Sequence, residues 1–255
     1  MTPDRETPDE RPNDPAGGTD TAAADEPRPE EGAAERPWLP SPAHVRPYKD
    51  AAALADAAAR RFLDTAKRAV DKNDRFVVVL AGGSTPRALY GRLTESPYRE
   101  KVPWKKTYFV FGDERCVPPD HRQSNYRMVE ETLLSPLEIA AHQVLRMKGE
   151  QAPAEAARRY EVRLGDLFLN RSNRHFDLVL LGIGPDGHTA SLFPGTAALD
   201  EQERWVAANE VPQQGGWRLT LTFPALNSAR RVIFLATGEE KGTFLSDDVN
   251  VSEAS

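Results

Sequence analysis

Apolar residues fall into short, nearly unbroken runs separated by longer stretches of mixed Ala, Arg, Leu and Asp, a spacing that predicts strands alternating with helices. Phe76 to Ala81, Thr107 to Phe111 and Phe176 to Leu181 read as strands buried on both faces, as in a parallel sheet. Gln143 to Met147, Arg204 to Glu210, Leu219 to Phe223 and Arg231 to Thr237 supply further strands. Helices are expected over Asp50 to Val70, with Asp50 as cap, over Ala152 to Phe168, and after a Ser124 cap. A fourth runs from Arg87 to Leu93, with Thr85 as its N-cap and Pro86 as its first residue. This alternation implies right-handed crossovers and an α/β, Rossmann-like fold: a mostly parallel sheet flanked by helices on both faces. Gly82, Gly112, Gly182 and Gly238 stand at strand ends and are expected along one edge, where open α/β sheets bind ligands.

Composition divides the chain. Residues 1 to 40 read as a disordered, acidic, Pro/Ala-rich arm, with eleven acidic and four basic residues before Trp38. Because the whole chain carries −6, the remainder is close to neutral, so neither an anionic substrate is disfavoured nor a basic nucleic-acid footprint present. Residues 41 to 245 are expected to form a single catalytic domain, followed by a polar tail over 246 to 255. Cys116 is the sole cysteine, which excludes an intrachain disulfide and a cysteine-rich metal site. The acidic N-terminus lacks a secretory apolar region, and no run approaches the roughly 18 apolar residues of a membrane span. The reading is a soluble, cytoplasmic protein, monomer or weak homo-oligomer, with no nucleic-acid or membrane partner.

Candidate chemistry concentrates where the Phe176 to Leu181 strand runs into Gly182-Ile183-Gly184-Pro185-Asp186-Gly187-His188. A loop imidazole, with an ordinary pKa of about 6.5, can take a proton from water at neutral pH. Asp186 either orients that imidazole or serves as a turn residue bonding its own backbone. Gly82-Gly83-Ser84-Thr85 opens a helix, and a helix N-terminus with free N–H groups suits an anion. The remaining histidines, His44, His121, His142 and His175, lack zinc-ligand spacing, and neither Ser84 nor Ser191 sits in a G-x-S-x-G elbow.

The string GIGPDGHTASLFPG resembles the signature of the 6-phosphogluconolactonases, within a superfamily that also holds glucosamine-6-phosphate deaminases and ribose-5-phosphate isomerases. LAGGSTPRALY, FGDERCVPPDHRQSNYRM and RLTLTFPALNSARRVIFLATGEEK resemble the family's other blocks, in the family's order, so that the resemblance covers roughly residues 45 to 245. It implies hydrolysis of 6-phospho-D-glucono-1,5-lactone, with His188 as general base and Asp186 beside it. It also implies a substrate site formed by Gly83, Ser84, Thr85, Asp113, Arg115 and Lys241. No metal or other cofactor is implied. For the developing oxyanion, glycine-loop N–H groups and a nearby arginine are both open.

Two other readings stand beside it. In the deaminase branch the aspartate matching Asp113 abstracts a carbon-bound proton, but a glutamate of that branch's ring-opening apparatus falls at Phe193 here. A non-catalytic sugar-phosphate-binding domain would keep the phosphate loop without the chemistry. Family members also continue through a closing segment where this chain has SDDVNVSEAS, and a loss of stability is expected if that segment normally covers the sheet.

Overall fold

Ala51–Asn73 forms α1, because Asp50 accepts from the Ala53 N–H at 2.7 Å and Ala residues line the face that packs inward. The helix ends at Asp74, in the left-handed region at φ 58°. In this computed structural model, residues 44–169 and 175–238 are described. The acidic arm, the polar tail and Lys241 therefore lie outside the described residues. Among those described, no helix is long and apolar enough to cross a membrane.

The elements that follow are β1 Phe76–Leu80, α2 Ser84–Leu93, α3 Tyr98–Lys101, β2 Thr107–Phe111, β3 Asp113–Arg115, α4 Asn125–Val129 and β4 Val144–Leu145. After these come α5 Pro153–Leu167, β5 Leu178–Gly182, β6 Val206–Val211, β7 Gly216–Leu221, α6 Phe223–Asn227 and β8 Val232–Leu235. Five strands make a sheet in the order β4-β2-β1-β5-β8, and every pairing in it is parallel. The chain steps from β1 to β2 in one direction and from β4 across to β5 in the other. Right-handed crossovers thus set α2 and α5 on opposite faces. All of β1 is buried, which is why its sequence is a continuous FVVVL rather than an alternation. Phe62 of α1 meets Phe76 edge-on, at 5.2 Å between ring centroids, in the core on one face.

The parallel sheet expected from the sequence is present, but two of the strands assigned to it belong elsewhere. β6 and β7 pair antiparallel and join β3 in a separate three-stranded sheet, order β3-β7-β6. The reason is the length of their connection: Pro212–Gln214 and Gly215 make a tight turn, whereas a parallel return needs a dozen or more residues. Asp113 to Arg115, just past the end of the second strand, is β3, in register as Asp113↔Thr220 and Arg115↔Arg218.

Two buried tyrosines clamp the carboxyl edge of the parallel sheet from opposite sides. Tyr90 of α2 donates to the Ala81 carbonyl at 2.8 Å and accepts from the Ala81 N–H at 3.0 Å. Tyr160 of α5 accepts from the Phe111 N–H at 2.8 Å. Burial pushes both phenols far above their ordinary pKa, so they stay protonated as donors. Backbone groups that leave the ladder at the site edge are thereby satisfied without water.

Candidate active site

The turn after β1 positions the first part of the site. Gly83 takes φ 101°, a conformation that side-chain-bearing residues rarely adopt, and serves as N-cap of α2. The helix therefore starts at Ser84, earlier than expected, and Thr85 lies in its first turn instead of capping it. Gly83 and Ser84 are exposed, at the end of a helix whose first N–H groups have no partner within it. Thr85 is buried, and its hydroxyl lies 2.7 Å from the hydroxyl of Thr237, just beyond β8. That contact ties the glycine turn to the segment after β8.

The second part is the loop after β5. Gly184 N–H donates to the His188 carbonyl at 2.8 Å, folding the segment back on itself, and a Cβ at Gly184 would stand 2.1 Å from the imidazole. Only glycine lets the ring lie there. His188 Nδ1 is 2.5 Å from Asp186 Oδ1, and the same oxygen accepts from the His188 N–H at 3.2 Å. Partial burial works against ionisation of Asp186, but the bonds from His188 outweigh it and hold the carboxyl below its ordinary range. Asp186 makes the contact of each role open to it, one oxygen meeting the imidazole and closing the turn on the His188 N–H. On its face the ring stacks on buried Phe193, 3.9 Å between centroids and 23° between planes. With Nδ1 tied and one face covered, Nε2 is the nitrogen left to take a proton.

The antiparallel sheet anchors this loop. Ser191 donates its hydroxyl to Asp113 Oδ2 at 2.7 Å, and its N–H reaches Thr220 Oγ1 at 3.2 Å. Asn209 of β6 donates to the Ser191 carbonyl at 2.9 Å. The other Asp113 oxygen accepts from Asn125 Nδ2 at 3.0 Å. Asp113 is only 8% exposed, so the aspartate expected on the substrate spends both oxygens joining β3, α4 and the histidine loop. Its neighbour Glu114 accepts from Ser124 Oγ and from the N–H groups of Arg115, Asn125 and Tyr126, all within 3.0 Å. Burial nevertheless pushes the Glu114 carboxyl up.

Arg115 leaves β3 half-buried and donates to the Gln123 carbonyl at 2.6 Å. Opposite it stands Arg218, which sequence reasoning passed over although it opens one of the quoted blocks. A signal was there: in Arg218-Leu219-Thr220-Leu221 the polar residues alternate with apolar ones, which puts Arg218 and Thr220 on one face. Asn125 was passed over as well, Ser191 was weighed only as a nucleophile and Phe193 only as a departure from the deaminase pattern. The bonds of Asn125 and Ser191 to Asp113 join positions remote in the chain, whereas Phe193 lies five residues from the ring it stacks on.

A family profile described as glucosamine-6-phosphate isomerases/6-phosphogluconolactonase matches residues 49–254. The chain belongs to this family. It is 37% identical over 194 residues to the 6-phosphogluconolactonase of Haemophilus influenzae, a match spanning 72% of this chain and 82% of that protein. With the 6-phosphogluconolactonase of a Nostoc species it shares 39% over 183 residues, 70% of this chain and 72% of the other. Among solved structures, the 6-phosphogluconolactonase from Trypanosoma cruzi aligns with a TM-score of 0.71 at 31% identity, covering 83% and 87% of the two chains.

Proposed function

We propose that this chain hydrolyses 6-phospho-D-glucono-1,5-lactone to 6-phospho-D-gluconate, the second step of the oxidative pentose phosphate pathway. The observation that carries the reading is the imidazole of His188, tied at Nδ1 to Asp186 and backed by Phe193, in the loop after β5 of a family fold whose relatives bear the lactonase name. Nε2 takes a proton from water as its oxygen attacks the lactone carbonyl. The tetrahedral intermediate collapses by breaking the bond to the ring oxygen, which receives that same proton from the imidazolium. Asp186 keeps the imidazole in the tautomer that leaves Nε2 basic and favours the imidazolium once it forms. At the other end, the turn Gly83-Ser84, Arg115 and Lys241 hold the phosphate and fix the lactone for attack.

Deamination or isomerisation through Asp113 finds less support, since both oxygens of that carboxylate are already bonded to protein donors. The test is to generate the lactone from glucose 6-phosphate and follow its clearance through 6-phosphogluconate dehydrogenase, with His188→Ala beside the unaltered chain. Clearance above the spontaneous rate that vanishes in the variant supports the mechanism. A folded protein that never exceeds the spontaneous rate overturns it in favour of a binding domain.

A further inference from the structure

We infer that Arg218 is a second phosphate-binding arginine, which closes on the substrate's phosphate from the strand opposite Arg115; the inference rests on the sugar-phosphate reading of the site. It starts from register. β3 and β7 are antiparallel, with Asp113 opposite Thr220 and Arg115 opposite Arg218. Side chains two apart on a strand share a face, so Asp113, Arg115, Arg218 and Thr220 project to the same side of the ribbon. Asp113 and Thr220 hold Ser191, in the loop that carries His188. The arginine pair is the next pair along, about 7 Å further on at two residues of strand rise. In the lactone the carbonyl carbon and the carbon bearing the phosphorylated CH2 flank the ring oxygen, and that CH2 arm carries the phosphate away from the carbonyl; one ribbon face likewise offers an anchor for the base at one step and cationic charge at the next.

The electrostatics of the pair call for an anion. Like charges directly opposite on neighbouring strands destabilise the sheet. Among the described residues, neither arginine forms an ion pair within 4.0 Å, and the nearby carboxylates of Asp113 and Glu114 are engaged with Asn125, Ser124, Ser191 and backbone N–H groups. Arg115 spends one nitrogen on the Gln123 carbonyl. Among the described residues Arg218 reaches only the Trp217 and Gln214 carbonyls, both at 3.4 Å, the long limit for such a bond. Burial, and next to it the charge of Arg115, lower the proton affinity of Arg218. A phosphate ester near neutral pH carries close to two negative charges, and two guanidinium forks can take its oxygens in pairs. Between these arginines it converts repulsion into attraction. The ribbon also roots beside the glycine turn, because the Gly112 N–H donates to the Leu80 carbonyl at 2.9 Å.

The experiment compares the full chain with Arg218→Gln and Arg218→Lys. Steady-state kinetics use the phosphorylated lactone and, separately, glucono-1,5-lactone without phosphate. Calorimetric titration with 6-phosphogluconate and with inorganic phosphate reads binding independently of turnover. Arg218→Gln is expected to raise KM for the phosphorylated lactone and weaken 6-phosphogluconate binding by on the order of 10–100-fold, the loss of a charge-assisted contact. The rate on the unphosphorylated lactone, which lacks the group that Arg218 contacts, falls far less than the rate on the phosphorylated one, and the melting temperature stays level or rises as the repulsion is relieved. Arg218→Lys, which keeps the charge but not the fork, falls between, and decides the matter should the Gln variant fail to fold. Unchanged affinity for 6-phosphogluconate overturns the proposal, as does a fall in kcat at constant KM, which would place Arg218 on the oxyanion. A chain without lactonase activity whose 6-phosphogluconate binding still weakens in Arg218→Gln overturns the proposed reaction and leaves the arginine pair standing.

Discussion

The two sheets of this protein solve different problems. The five-stranded parallel sheet is held by burial: every residue of β1 is inaccessible, as are Phe109, Val110 and Phe111 on β2, and side chains there need only be apolar and of suitable size. The antiparallel sheet is held to the site by directional bonds among Asp113, Asn125, Ser191, Asn209 and Thr220, all buried and all polar. Burial is non-directional and gives stability. A fully satisfied polar network specifies one arrangement, which is what a catalytic loop requires. The comparison teaches that stability and activity should separate when the two regions are altered in turn.

The largest separation is expected at the loop itself. Replacing His188 by Asn should lower kcat by about 10²–10⁴-fold, the usual contribution of a general base, while thermal unfolding stays unchanged. Phe109→Ala, in the parallel sheet, should do the reverse. It is fully buried, so truncation should cost about 3–5 kcal/mol in a denaturant melt, with the specific activity of the folded fraction preserved. If folded Phe109→Ala is also inactive, the separation between the sheets fails.

Ser191→Ala tests the join between the two regions. Losing the hydroxyl strips the buried Asp113 Oδ2 of a donor, for an expected cost of about 1–3 kcal/mol, and kcat should fall because the histidine loop loses its anchor. A loss of stability without a loss of kcat would mean that the loop is held by its own turn. The smallest effect is pH dependence. The Asp186 carboxyl lies below its ordinary 3.8 in the folded chain, so its pairing with His188 adds stability above that value and loses it as pH falls through the folded pKa. Melting temperatures between about pH 5 and pH 3 should therefore drop slightly more for the unaltered chain than for Asp186→Asn. Equal slopes would show that the pair orients the ring without contributing to stability.

Much of this was legible in the chain. A strand buried on both faces writes itself as a run of apolar residues, a helix announces its cap at Asp50, and a glycine-rich strand end marks the ligand edge, because each depends on residues within a few positions of one another. His188 and Asp186 stood out for the same reason, being two residues apart in one turn. The assignment of β6 and β7 was the exception, for the short Pro212–Gln214 connection is a local signal that outweighs the general alternation of strands and helices.

What tertiary structure alone decided are the meetings of distant side chains. Ser191 and Asp113 are 78 residues apart, and Thr85 and Thr237 are 152 apart. No periodicity encodes such contacts, since they follow from strand register and crossover geometry, which only the assembled core selects. The same holds for Arg115 and Arg218: resemblance singles out the first and the second reads as an ordinary cation, and only the register of β3 on β7 sets the two opposite each other. Sequence thus determined the elements and the chemistry available at their ends, because those rest on local backbone preference and burial pattern. Folding decided which of those groups act together, because electrostatic and hydrogen-bond coupling depends on distance in space.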